Sequence, residues 1–262
     1  MKQLYEPDWD ALKNRPIVFI WIPKTAGTSA HKMIKNNKYP ILVGGTWRNR
    51  GYTGQHASYA DLEENAAFAE VEGEITAINP TIVTVVRNPY DWLVSYFHHH
   101  SLTGRPGGQE GSLGNWTSFK DFLSKFDSEK FPKKPLPRFM WDEGFMTEQL
   151  YDNQNVCKAD VIIRFEHLQA GWGKTIQELV GCERLLNGLS LPYSNRGKDL
   201  VRGSAVDHTG RFDIKRNYRE YYNDELIEFV EKRFGKELSM YGYTIDGPTD
   251  DSIFIDPAKC HR

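Results

Sequence analysis

Residues 19–34 read FIWIPKTAGTSAHKMI. Their first part completes the run PIVFIWI, residues 16–22, which is apolar throughout and rich in β-branched and aromatic side chains. That pattern predicts a strand buried on both faces, as in a parallel sheet. The chain then changes character to PKTAGTS, residues 23–29, before Met33 and Ile34 supply the inward face of a helix. A strand feeding a Gly-containing turn and a helix N-terminus gathers unpaired backbone N–H groups at one point, with the positive end of the helix dipole behind them. Phosphate suits such a point. Thr25, Thr28 and Ser29 add hydroxyl donors, Gly27 permits close approach and Lys24 adds a point charge. Thr28 or Ser29 is the expected helix cap. Read without its neighbours, the segment also fits an ordinary capped turn with an exposed lysine.

Two further apolar runs repeat the pattern. TIVTVV, residues 81–86, leads directly into RNPYDWLVSYFHHH, residues 87–100, where Asn88 is a good N-cap and Pro89 a good first helical residue. DVIIRFEHL, residues 160–168, precedes a helix expected around 174–180. Strands alternating with helices predict an α/β fold with a central parallel sheet flanked by helices, here as a single domain over residues 1–262. Near the end, Asn223 caps a helix with Asp224 and Glu225 in its first turn. Leu226, Ile227, Val230 and Phe234 face inward, Lys232 and Arg233 occupy the last turn, and Gly235 is the expected stop.

Composition narrows the function. With 262 residues, 39% of them hydrophobic, the chain can bury a sizeable core. A formal charge of −2 argues against a globally basic nucleic-acid binder and leaves room for a local basic patch. Residues 196–219 are such a patch, with seven lysines and arginines against three aspartates. Residues 103–118, TGRPGGQEGSLGNWTS, read as a polar loop, either mobile over a site or merely solvated. Cys157, Cys182 and Cys260 are far apart in sequence and form neither CxxC spacing nor an even set, so no zinc site or disulfide framework is expected and a reducing compartment fits. The first sixteen residues lack the apolar stretch of a signal peptide, and no run approaches the ~20 residues of a membrane span. The reading is a soluble, cytoplasmic protein.

The order of residues in 23–29 is not that of a nucleoside triphosphatase, whose lysine follows the last glycine; Lys24 precedes Gly27. Residues 81–86 are followed by Arg87 and not by the aspartate that would support a metal ion, so a metal-independent site is expected. Arg87 stands at the carboxyl end of a strand, where open α/β folds bind ligands, and Ser95 is about two helical turns further on. An arginine and a serine suit a second phosphate, although either residue also suits an ion pair or a packing position. The three histidines 98–100 do not converge on one ion, because successive helical side chains point about 100° apart. They suit a surface helix end or the lining of an acceptor site.

Together, PKTAGTS after one strand and RNPYDWLVSY after another resemble the paired phosphate motifs of the sulfotransferases that use 3′-phosphoadenosine 5′-phosphosulfate (PAPS). The resemblance implies a P-loop-type nucleotide-binding fold. Residues 23–29 (Pro23, Lys24, Thr25, Ala26, Gly27, Thr28 and Ser29) would hold the 5′-phosphosulfate, and Arg87, Pro89, Ser95 and Tyr96 match the motif that holds the 3′-phosphate. The closest similarity is to the carbohydrate branch that includes heparan sulfate 2-O-sulfotransferase. There a histidine between the two motifs is the base, and His56 in TGQHASYADL is the match, with Gln55 where a glycine is usual. The basic segment with Arg202 and Ser204 sits where relatives close a loop over the nucleotide.

The implied chemistry is in-line transfer of a sulfuryl group from PAPS to an acceptor hydroxyl, on a glycan by the closest similarity, leaving adenosine 3′,5′-bisphosphate. No metal, membrane or nucleic acid is called for. A neutral alcohol needs a base at pH 7, the role of His56, and the departing bridging oxygen needs a cation, the role of Lys24. A P-loop kinase using ATP and a non-catalytic nucleotide-binding module are the alternatives. Residues 103–118 and 127–147 would shape the acceptor surface.

Overall fold

The computed structural model describes residues 4–43, 57–64, 79–102, 118–126, 145–181 and 217–260. In chain order these form α1 (Trp9–Leu12), β1 (Ile17–Ile20), α2 (Gly27–Asn37), β2 (Ile41–Val43), α3 (Tyr59–Glu64), β3 (Thr81–Val86), α4 (Pro89–Leu102), α5 (Phe119–Phe126) and α6 (Phe145–Glu148). They continue with β4 (Val161–Arg164), α7 (Leu168–Val180), α8 (Asp224–Tyr241), β5 (Tyr243–Thr244), β6 (Gly247–Pro248) and β7 (Phe254–Ile255). Short 3-10 turns occupy Phe165–His167, Tyr218–Tyr221 and Pro257–Cys260. The chain packs as two compact units, one of Met1–Arg87, Met146–Pro192 and Thr249–Arg262, the other of Asn88–Phe145 and Tyr193–Pro248.

The first unit holds the main sheet, in the order β2-β1-β3-β4-β7. Its first four strands are parallel, and β7 pairs with β4 antiparallel. Every residue of β1, β3 and β4 is buried, which is why these segments read as unbroken apolar runs instead of alternating ones. Met33 and Ile34 of α2 and Trp172, Ile176 and Leu179 of α7 join Phe19, Val83 and Ile163 in one core cluster. Trp172 meets Phe19 edge to face at 5.2 Å. Burying each such side chain contributes about 1.5–3 kcal/mol. Register is pinned at the amino ends of the strands. Arg15 donates to both carboxylate oxygens of Asp160 at 3.3 and 3.2 Å and to the carbonyls of Asn79 and Pro80, while Asp160 also accepts the Ile82 N–H. That clamp leaves the carboxyl ends of β1 and β3, which are neighbours, for a site.

In the second unit Asn88 caps α4 as expected, its Oδ1 accepting the Tyr90 N–H at 3.1 Å while its amide donates to the Thr244 carbonyl at 2.7 Å. Further along α4, Phe97 meets Phe119 and Tyr221 edge to face, and Phe119 meets Tyr221 and Tyr222 in the same way. Asn223 caps α8 by accepting the Leu226 N–H. The helix does not stop at Gly235. It runs to Tyr241 and ends on Gly242 at φ 64°, because its buried face continues through Leu238, Met240 and Tyr241. Likewise α7 begins at Leu168, well before the expected 174, and uses Gly171 for contact: a Cβ there would collide with Ile163 of β4.

Candidate active site

The strand-to-helix turn after β1 is tightly built. Lys24 and Ala26 both lie in the left-handed region, at φ 65° and 67°, which costs non-glycine residues roughly 1–2 kcal/mol each. Two bonds hold the strained loop in place. The Thr25 hydroxyl, fully buried, donates to the Ile22 carbonyl at 2.8 Å, and Arg87 Nη1 donates to the Lys24 carbonyl at 3.0 Å. Left-handed residues at 24 and 26, leading straight into a helix N-terminus, suit a concave arrangement of N–H groups for an anion.

The expected cap is corrected. Ala26 is the N-cap and offers no side-chain acceptor, so Thr28 and Ser29 lie inside the first turn of α2. The Ser29 N–H reaches back to the Ala26 carbonyl at 2.9 Å, while the N–H groups of Gly27 and Thr28 point out of the helix end. Gly27 also has a role other than the expected one. A Cβ at this position would fall within the Trp21 indole, so the glycine lets the helix start pack on that ring. Thr28 is half-exposed at the mouth of the turn, whereas Ser29 is buried.

Lys24 is the electrostatic focus. Burial, and then the like charge of Arg87, lower its pKa from 10.5 to about 8. Among the described residues no carboxylate offsets it. A lysine so placed at a helix N-terminus favours a negatively charged partner.

Arg87 follows β3 and is fixed from two sides within the first unit. Besides its bond to Lys24, its guanidinium lies over the Phe165 ring, 4.3 Å from the centroid. Phe165 was not singled out in the sequence. Its signal was available: it directly follows β4 at the carboxyl edge of the sheet, one strand over from Arg87. The structure therefore joins residues 23–29 and Arg87 at one edge. Ser95 lies half-buried on α4 in the second unit. Its neighbour Tyr96 is core, tilted against Trp92 and stacked on Phe122, with burial raising its pKa.

His56, Arg202 and Ser204 lie outside the described residues, as do 103–117, 127–144 and 196–216. The chain just after His56 is firmly anchored. Ser58 and Asp61 form a reciprocal cap, with the Ser58 N–H on Asp61 at 2.9 Å and the Asp61 N–H on Ser58 Oγ at 3.1 Å, and the Tyr59 N–H donates to the Gln149 carbonyl at 2.8 Å. His98, expected at a surface or acceptor wall, is half-buried among aromatic rings, its Nε2 2.7 Å from the Tyr221 hydroxyl. Burial pushes its pKa down to about 4. The ring is neutral at pH 7.

Left-handed residues before a helix N-terminus, a lysine of lowered pKa and a strand-end arginine bonded to that lysine's backbone gather donors and positive charge at one edge of the sheet, an arrangement suited to an anionic group. The Sulfotransferase family profile matches residues 10–244, a span that includes residues 23–29 and Arg87. The chain belongs to this family and is a transferase of sulfuryl groups, a family that generally draws on PAPS as donor. Searches of curated proteins and of solved structures returned no significant match.

Proposed function

We propose that this protein is a PAPS-dependent O-sulfotransferase acting on a carbohydrate hydroxyl. The observation that carries the reading is Lys24: a largely buried cation at the mouth of a helix N-terminus, whose charge neighbour among the described residues is another cation, Arg87. Residues 23–29 hold the 5′-phosphosulfate through backbone N–H groups, with Thr25 fastening the turn by its hydroxyl. Arg87, steadied by Phe165, takes the 3′-phosphate; the likeness to the family's second motif gives Ser95 a part in the same role, and the family likeness assigns Arg202 and Ser204 to the nucleotide. His56 accepts the acceptor proton as the acceptor oxygen bonds to sulfur and the bond from sulfur to the bridging oxygen breaks. Lys24 stabilises the charge left on that oxygen. The glycan preference rests on the likeness of TGQHASYADL to the carbohydrate branch.

Turnover of labelled PAPS against panels of glycans, phenols and small alcohols tests this. Glycan sulfation is expected, with His56→Ala keeping bisphosphate affinity while turnover falls about 10²–10⁴-fold. Lys24→Ala should lower both, turnover more than affinity, since part of its contact forms only as charge develops. Transfer to phenols alone would overturn the glycan assignment, and near-normal turnover in His56→Ala would remove the histidine from the role of base.

A further inference from the structure

Cys157 and Cys260 are separated by about a hundred residues in sequence, and the fold places them together. Cys157 lies on a tight antiparallel turn within the first unit, in which the Asp152 N–H donates to Val156 at 3.0 Å and the Lys158 N–H donates to Leu150 at 2.8 Å. Tyr151 pairs with Cys157 across that turn. The same tyrosine reaches over with its hydroxyl to donate to the Cys260 carbonyl at 2.5 Å. One residue thus anchors the backbone of both cysteines. The Cys260 thiol lies close enough to lower the Cys157 pKa, and both side chains are buried, Cys260 fully and Cys157 at 7% exposure. Cys157 keeps slight exposure, so a reagent can reach its sulfur first, and Cys260 stands behind it.

We propose that Cys157 and Cys260 are a cross-linking site that closes to a disulfide when the protein meets a low-molecular-weight disulfide such as glutathione disulfide. The Cys157 thiolate, the more exposed of the two, attacks one sulfur of that reagent and releases the first glutathione thiolate. Cys260 then attacks the Cys157 sulfur and releases the second. Two protein thiols are oxidised, one glutathione disulfide is reduced to two thiols, and the two protons pass to the released thiolates. The Cys260 thiol lowers the Cys157 pKa by hydrogen-bonding its sulfur, which favours this order. The cross-link ties the turn before β4 to the segment after β7 and closes a loop of about a hundred residues, so it restricts the unfolded chain strongly.

The full chain, held with excess glutathione disulfide or with a reducing agent, is unfolded and its free thiols are trapped with a maleimide. Three adducts are expected from the reduced protein and one, on Cys182, from the oxidised protein, with peptide mapping joining residues 157 and 260. The oxidised form should melt roughly 5–15 °C higher. Cys182→Ser, which leaves the pair intact, should yield no adduct after oxidation, and Cys260→Ser should leave Cys157 reduced or capped by glutathione. Three adducts after oxidation, a lasting glutathione adduct on Cys157 in the unaltered chain, or a cross-link to Cys182 would each overturn the proposal.

Discussion

At the scale of single residues, Lys24 carries the most consequence. Its pKa is lowered from 10.5 to about 8 by burial first and by Arg87 second. A bound phosphate brings opposite charge to the same point and raises that pKa, so above pH 8 the ligand must draw a proton in as it binds. Affinity for adenosine 3′,5′-bisphosphate is therefore expected to be full below pH 8 and to weaken as pH rises through it, by up to about tenfold per unit. Calorimetry between pH 7 and 9.5, in buffers of different ionisation heat, would show proton uptake that grows with pH and vanishes in Lys24→Met. An affinity flat over that range would mean that Lys24 does not face the anion. Residue types in 23–29 pointed toward an anion site, but their packing roles were hidden. Gly27 is explained by Trp21, and Thr25 by the Ile22 carbonyl, contacts that depend on how the chain folds back.

Among the elements, local chemistry was legible where it acts locally. Asn88 followed by Pro89, and Asn223 followed by two acids, mark helix starts because the cap contacts residues only two or three positions away. Glycines misled where tertiary packing overrides their propensity. Gly171 lies inside α7 because β4 leaves no room for a side chain, and Gly235 sits within α8 with nothing near its missing Cβ. Since Gly235 is helical and unobstructed, Gly235→Ala should stabilise the protein by about 0.5–1 kcal/mol, a rise of roughly 1–4 °C in Tm. Thermal melts with bisphosphate affinity as a control would check it. A lower Tm would show that this turn of α8 needs the flexibility of glycine.

For the whole molecule, the parallel sheet was readable because β1, β3 and β4 are buried on both faces and so appear as continuous apolar runs. The short strands β2 and β7 were not, since two or three residues carry no periodicity. Nor were the two compact units, which are assembled from separate stretches of chain, or the meeting of Cys157 with Cys260. The site was half legible. Residue types named residues 23–29 and Arg87, while the strand order that makes their carriers neighbours, and Phe165 beneath the arginine, come only from the fold. The central claim is that this edge of the sheet serves a nucleotide bearing a 3′-phosphate. Thermal shift without added metal tests it most directly. Adenosine 3′,5′-bisphosphate at about a hundred times its Kd should stabilise the protein by roughly 2.7 kcal/mol, ATP should do so weakly, and Arg87→Ala should erase most of the difference. Equal stabilisation by ATP with Mg²⁺, unaltered in Arg87→Ala, would contradict it.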